Sequence, residues 1–195
     1  VGVASYQQSR WDLAEYFFEK ILTLGSGGAA QRQAGATATL YLAEIRIRRG
    51  ELDQAAQVLE DYLALEPRAG EAGEREMALM RLADVRLMQR AYPEAAAGYA
   101  DFMGRHRQSC RYTEAGTMLT YVRYRQGELG EARELGRRLL RDSAGAALRP
   151  DLYRLLVAIE KRQGNRREAV ALLREYVSYS PEDLGARSDL LKQLF

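Results

Sequence analysis

Several residue types are scarce in this chain, and each scarcity narrows what the chain can be. It has one cysteine, Cys110, so no internal disulfide holds the fold together. It has one histidine, His106, so the usual four-ligand zinc sets of cysteine and histidine are absent. No uninterrupted apolar run approaches the about 18 residues that a membrane-spanning helix needs. The fold must therefore rest on the packing of apolar residues, which make up 47 % of the chain.

Catalytic chemistry finds little support in the sequence. His106 and Cys110 are four residues apart and would share one face of a helix. No second histidine or cysteine completes a site, so we interpret them as a helix-end histidine and a small buried thiol. The segment Gly-Ser-Gly-Gly at 25–28 lacks the Gly-Lys-Ser/Thr ending of a phosphate-binding P-loop. We therefore predict no catalytic residue, no bound metal, no cofactor and no enzyme activity.

One spacing recurs five times along the chain, where thirteen residues separate a hydrophobic residue from an alanine. The five pairs are Val1 and Ala14, Leu42 and Ala55, Leu82 and Ala95, Leu119 and Ala132, and Leu156 and Ala169. Large residues recur three before four of the alanines, four after four of them and seven after all five, which is helical spacing. Arg166 replaces the large residue three before Ala169. Short polar turns containing Gly50, Gly127 and Gly164 precede three of these stretches. Each unit is therefore predicted to be helix, turn, helix.

The recurring alanine has a physical reason. Where two antiparallel helices cross closely, the contact point admits only a small side chain. The partner helix supplies another small residue in three units, namely Gly2, Ala43 and Ala83. Gly136 departs from the pattern, because it stands where the fourth unit should carry a large residue. We expect that unit to be the least stable.

These units resemble tetratricopeptide repeats. The second unit carries the family pattern in Leu42, Ala43, Gly50, Ala55, Leu59 and Pro67, and the fifth in Leu156, Gly164, Ala169, Leu173 and Pro181. The resemblance implies an all-α, right-handed superhelical solenoid of antiparallel helix pairs in a single array over residues 1–195. Its units would be a partial one at 1–28, then 29–69, 70–109, 110–146 and 147–180, and a partial or capping helix at 181–195.

The repeat spacing is longer than the family standard. Successive alanines lie 41, 40, 37 and 37 residues apart, whereas the standard repeat has about 34 residues. Segment 25–28 is predicted to be a loop, which would account for part of the extra length between the first two alanines. Extra turns in the first helices, over about 31–49 and 71–89, are predicted to account for the rest. The stretch Ser-Pro-Glu-Asp at 180–183 predicts the start of a last helix that ends at Phe195.

The charges are nearly balanced overall but unevenly spread. The net charge is +2. Residues 51–100 hold ten acidic and five basic side chains, whereas residues 101–150 hold six acidic and ten basic ones. The uneven distribution either marks a docking surface for a charged partner or arises by chance, because charged residues cover the solvated faces of helices. Arginines at 105, 107, 111, 123 and 125 lie near Tyr112, Tyr121 and Tyr124, as in nucleic-acid sites. Interleaved glutamates and the near-neutral balance argue against nucleic acid as a partner.

With catalysis and nucleic-acid binding disfavoured, the sequence favours a surface that binds another molecule. In the family, the first helices of successive units line the concave groove. By resemblance, the groove should display Glu44, Arg48, Met80, Asp84, Met88, Tyr121, Tyr124, Arg125, Arg154 and Arg162, together with Ala158 and Lys161. The chaperone-tail adaptors of the family need asparagines and lysines there. The chain has one asparagine, Asn165, in a predicted turn, and three lysines, so that role is excluded.

The sequence thus predicts a protein-interaction scaffold that holds a segment or domain of another protein, next to neighbouring repeats of a longer protein. Lengthened repeats are similar to those of periplasmic scaffolds in bacterial exopolysaccharide export and biofilm formation. This favours the periplasm of a Gram-negative bacterium over the cytoplasm. One alternative is direct binding of a polysaccharide, with Tyr121 and Tyr124 stacking on sugar rings. A cytoplasmic regulatory sensor is the other.

Overall fold

The computed structural model describes residues 1–23, 29–66, 72–142 and 149–194. Helices dominate these ranges, and no strand occurs in them. In chain order the helices are α1 Gly2–Gln7, α2 Trp11–Thr23, α3 Ala29–Arg49, α4 Leu52–Ala64, α5 Ala72–Met88, α6 Tyr92–Arg105, α7 Tyr112–Gln126, α8 Leu129–Asp142, α9 Arg149–Arg162, α10 Arg166–Tyr179 and α11 Leu184–Leu194. The all-α fold of antiparallel helix pairs is confirmed.

The chain divides into two compact units, Val1–Gly98 and Tyr99–Phe195. In the first unit α1 packs on α2 and α3 on α4, and the neighbouring first helices α3 and α5 contact each other. In the second unit α7 packs on α8 and α9 on α10, while α7 contacts α9 and α10 contacts α11. Each unit therefore places two of its first helices side by side. The division of the chain into five repeats stays a prediction.

The five repeated alanines form the centres of the helix pairs. Ala14, Ala55, Ala95, Ala132 and Ala169 are all fully buried. The large residues four and seven positions later are buried with them in most units, as with Phe18, Leu59, Tyr99, Leu173, Tyr62, Phe102, Leu139 and Tyr176. The thirteen-residue spacing therefore identified the core correctly.

Glycines allow close helix contacts about one turn beyond the alanines at three places. A Cβ atom added to Gly98 would lie 3.0 Å from the Cβ atom of Ala83. One added to Gly2 would lie 2.9 Å from the ring of Phe18. At Gly136, where the sequence lacks the expected large residue, Leu156 fills the space, since an added Cβ would lie 3.0 Å from its Cδ2 atom.

Every helix pair turns through one residue with left-handed backbone geometry. That residue lies five positions before the repeated alanine. It is Gly50, Gly127 or Gly164 in three pairs, with φ between +77° and +85°. Ser9 at φ +57° and Arg90 at φ +61° occupy the same place in the other two. These two residues adopt a conformation that costs L-residues free energy and that glycine adopts freely.

The predicted lengthening of the first helices is confirmed for α3 and α5. Helix α3 has 21 residues and α5 has 17, whereas α4 has 13. The proposed glycine loop at 25–28, Pro67 and Phe195 lie outside the described residues. Within the described ranges, no helix combines the length and apolar character required to cross a membrane.

Ion pairs bind the end of each longer helix to its neighbours. Near the carboxyl end of α3, Arg46 Nη2 lies 3.2 Å from Glu19, and Arg49 Nη1 lies 2.6 Å from Glu15. Arg86 of α5 forms the corresponding pair with Glu60 of α4. Arginines in the last turn of a helix also interact favourably with its negative end. These three arginines therefore have structural partners.

Candidate binding surfaces on the first helices

The α3 and α5 surface of the first unit is neutralised by its own charges. Arg48 Nε lies 2.9 Å from a carboxylate oxygen of Glu44. Arg81 lies 3.9 Å from Glu44 and 3.6 Å from Asp84. Arg48 also covers the ring of Trp11 at 5.6 Å. Both acidic residues predicted for the groove are thus paired on this surface.

The two methionines predicted for the groove have different environments. Met80 is only 3 % exposed, so its assignment to the binding surface is wrong. It lies three residues before Ala83, which is also buried, and residues three apart share one side of a helix. Met88, at the end of α5, is 52 % exposed. Of the two methionines, Met88 is therefore the one whose side chain a partner could contact on this surface.

In the second unit, two tyrosines predicted for the groove are each covered by an arginine. Arg125 stacks over Tyr121 at 5.6 Å, and its Nη1 donates a hydrogen bond of 2.6 Å to the Tyr121 hydroxyl. Arg162 of α9 stacks over Tyr124 at 5.2 Å. Its Nη1 donates a 2.9 Å hydrogen bond to the Tyr124 carbonyl, which is among the last of α7. Arg162 thus links α9 to α7.

The predicted groove residue Arg154 belongs to a network that fixes the start of α11. Its Nη2 lies 2.7 Å from Asp183 Oδ2, which also accepts a 2.6 Å hydrogen bond from the Tyr176 hydroxyl. The Ala186 N–H donates to Asp183 Oδ1 at 3.0 Å. The Tyr176 hydroxyl, the Ala186 N–H and the Arg154 guanidinium together hold the pKa of Asp183 well below its usual range. The helix start predicted at 180–183 is confirmed, with Asp183 as its capping residue.

A cleft opens between α9 and α11, on the same side as Arg154. Its volume is about 380 Å³, within the range of about 300–1,000 Å³ typical of ligand clefts. The buried side chains of Val157, Leu173 and Ala186 form an apolar floor. Exposed Lys161 and Lys192 stand at its edge, with Asp189 and Ser188. The cleft therefore combines an apolar base with basic side chains.

Helix α9 differs from the other first helices at the two positions that shape this cleft. Eleven residues before the repeated alanine, α3, α5 and α7 carry Glu44, Asp84 and Tyr121, whereas α9 carries Ala158. Three residues later the other helices carry Ile47, Leu87 and Tyr124, whereas α9 carries Lys161. A small residue leaves space beside α11, and a cation stands next to that space. Both residues were predicted to line the groove, but the difference between α9 and the other first helices was not predicted.

Other candidates from the sequence do not form a site. His106 follows α6 and packs its ring 4.9 Å from that of Phe102. Cys110 is exposed, so its prediction as a buried thiol is wrong, because it lies in the turn between α6 and α7. Among the described residues, no group of three metal-binding side chains comes together.

Three of the five arginines considered for nucleic acid have carboxylate partners nearby. Arg105 lies 2.7 Å from Asp101, and Arg111 lies 3.5 Å from Glu114. Arg123 pairs with Glu128 and lies 3.5 Å from Glu131. A basic surface that binds phosphate groups leaves its cations available to the ligand. These arginines are partly neutralised within the protein instead.

Comparisons with known proteins agree with this fold. Residues 37–69 match the family model described as Tetratricopeptide repeat. The comparison with curated proteins gives no match. Among solved structures, MamA superposes with a TM-score of 0.73 at 16 % identity, over 93 % of this chain and 95 % of that one.

Two further structures show the same likeness. BtubC (BKLC) from P. vanneervenii has a TM-score of 0.76 at 19 % identity, over 93 % of this chain and 77 % of that one. YrrB, described as a TPR protein with an unusual peptide-binding site, has a TM-score of 0.67 at 16 % identity, over 96 % of this chain and 87 % of that one. At these identities the likeness establishes the tetratricopeptide-type fold and leaves the ligand open.

Proposed function

We propose that this protein is a non-catalytic scaffold whose first helices bind a segment of another protein. The cleft between α9 and α11 carries the proposal. Its floor is apolar, its edge is charged, and exposed lysines stand beside it. Recognition of a protein segment uses this combination, because apolar burial supplies affinity and polar groups at the edge fix orientation.

The fold supports this function. Proteins built from stacked helix pairs expose long rows of side chains, and their function depends on what those rows bind. YrrB, which shares this fold, is described as having a peptide-binding site. Exposed Met88 gives the first unit a further adaptable apolar contact.

Direct polysaccharide binding is less favoured by the geometry. Sugar rings stack on open aromatic faces, yet Arg125 and Arg162 each cover one face of Tyr121 and Tyr124. Tyr176, which lines the cleft, is only 1 % exposed. No comparison supports a role in exopolysaccharide export or a periplasmic location, and both stay predictions from repeat length.

Affinity capture with matched variants tests the function. The immobilised chain is incubated with an extract of its native host, alongside Lys161→Glu/Lys192→Glu and the control Arg141→Glu. Arg141 is exposed on the second helix α8 and does not line this cleft. We expect a protein that the wild type and the control retain and the double variant loses. Equal retention by all three would contradict binding at the first helices.

A further inference from the structure

We propose that the cleft between α9 and α11 recognises an acidic protein segment, in which aspartate or glutamate adjoins small aliphatic residues. This inference rests on the proposed function and specifies the chemistry of its ligand. It depends on three features of the cleft, which are its uncompensated positive charge, its apolar floor and the small residue at its centre.

Lysine side chains make the edge of the cleft positively charged. No carboxylate in the described part of the chain lies within ion-pair distance of Lys161. Arg162 next to it contacts a tyrosine ring and a backbone carbonyl, both of which are neutral. Lys192 has only Asp189 at 3.6 Å, an exposed pair that binds weakly. Lys161 and Lys192 are therefore available to carboxylates on a partner, whereas Arg162 is held against α7.

The acidic residues beside the cleft do not cancel this charge. Asp183 is fully engaged by Tyr176, Arg154 and the Ala186 N–H. Asp189 is half exposed and is the one acidic side chain of the edge left to balance Lys192. The surface of the first unit differs, because there Arg48 and Arg81 are matched by Glu44 and Asp84. At the cleft, by contrast, Lys161 has no carboxylate of the described chain within ion-pair distance and Lys192 has only the weak pair with Asp189.

The floor of the cleft selects small aliphatic side chains. Val157, Leu173 and Ala186 present apolar surface that a partner can cover, and burial of apolar surface favours binding. Ala158 leaves room there, where a residue as large as Tyr121 would fill the space. A bound segment would thus place a small aliphatic residue on the floor and a neighbouring carboxylate near Lys161.

Selection from a random library of twelve-residue peptides tests this chemistry. The peptides are displayed with their carboxyl ends fused to the display protein, so any acidic preference comes from side chains. We expect wild-type protein to enrich peptides with aspartate or glutamate next to alanine or valine. One enriched peptide is then synthesised with an amidated end, and its affinity is measured by fluorescence anisotropy.

Matched variants locate the binding. Lys161→Glu should weaken binding of that peptide about tenfold by replacing attraction with repulsion, and Lys161→Arg should preserve it. Ala158→Trp should abolish binding by filling the cleft, whereas Ala158→Ser and Arg141→Glu should not affect it. Thermal melts of each variant, followed by circular dichroism, show whether the fold is intact. An intact Lys161→Glu that binds as tightly as wild type would overturn the inference.

The outcomes separate this inference from the proposed function. Enrichment of peptides without acidic residues, or of peptides that Ala158→Trp still binds, would overturn the acidic-segment inference and leave protein binding in place. Failure to enrich any peptide, together with saturable binding of polyglucuronate that requires Lys161, would overturn both. That result would make the surface a binding site for acidic polysaccharide.

Discussion

Arg137 Nη2 lies 3.1 Å from Oε1 of Glu160, and the Glu160 side chain is completely buried. Asn165 Nδ2 donates a 2.8 Å hydrogen bond to the other carboxylate oxygen. Arg137 also reaches Glu168 at 2.8 Å. One buried carboxylate thus joins α8 and α9 to the turn that begins α10.

Removal of Arg137 should show how strongly the buried Glu160 carboxylate destabilises the fold when its cation is missing. We expect Arg137→Met to lower the free energy of unfolding by about 3 kcal/mol, because it leaves the Glu160 carboxylate buried without its cation. The double variant Arg137→Met/Glu160→Met should recover much of that loss. Urea denaturation of the two variants and the wild type measures both effects. A double variant less stable than Arg137→Met would contradict this explanation.

The capping network at Asp183 predicts a pH-dependent stability. The pKa of Asp183 is lower in the folded state than in the unfolded chain. Its contribution is therefore fully present above the unfolded pKa of about 3.9 and is lost as the pH falls through the folded pKa. Wild type should be more stable than Asp183→Asn at pH 7, and the difference should shrink below about pH 4.

Denaturant titrations between pH 3 and pH 7 measure this difference. Asp189→Asn is the control, because Asp189 is an exposed acid on the same helix with only Lys192 at 3.6 Å. Its stability difference from wild type should change little over the same range. A pH-independent gap for Asp183→Asn would show that the carboxylate charge does not stabilise the start of α11.

The left-handed turn residues offer a stabilising substitution. Arg90→Gly should raise the free energy of unfolding by about 1 kcal/mol, because glycine adopts positive φ without steric cost. Gly127→Ala, at the same turn position of another helix pair, should lower it by a similar amount. Thermal melts compare the two variants with the wild type. If both substitutions shifted the melting temperature in the same direction, the shared turn geometry would be wrong.

Two arginines at one repeat position should differ in their effect on stability. Arg162→Ala should cost about 1 kcal/mol, because it removes a hydrogen bond to the last turn of α7. Arg125→Ala should cost less than about 0.5 kcal/mol, since it loses an exposed contact with a tyrosine of its own helix. Chemical denaturation distinguishes them, and equal losses would contradict the structural role of Arg162.

The repeat spacing made most of the fold predictable. Placing each alanine at the centre of a helix pair located the buried residues of both units, because helical periodicity alone relates them. The same spacing also identifies Ser9 and Arg90 as left-handed turn residues, since each lies five positions before its alanine. These two residues were not predicted to be left-handed, because the expected turn residue was glycine.

The surface was harder to predict. A repeat position does not fix exposure, since Met80 is buried whereas Arg154, which also lies fifteen residues before its repeated alanine, is exposed. The link between Arg154 and Asp183 joins residues 29 positions apart and depends on the turn before α11. Such contacts arise from the packing of particular side chains, which no local periodicity encodes. The α9 and α11 cleft likewise became apparent only when both helices were in place.

Site-specific photo-crosslinking in the native host tests the central claim most directly. A benzophenone amino acid is placed at position 188, where an exposed serine lines the cleft, and at position 141 on α8 as the control. Crosslinked peptides are then identified by mass spectrometry. We predict that position 188 captures an acidic segment of one protein and that position 141 does not. Capture of the same proteins at both positions, or of none at position 188, would contradict binding at the cleft.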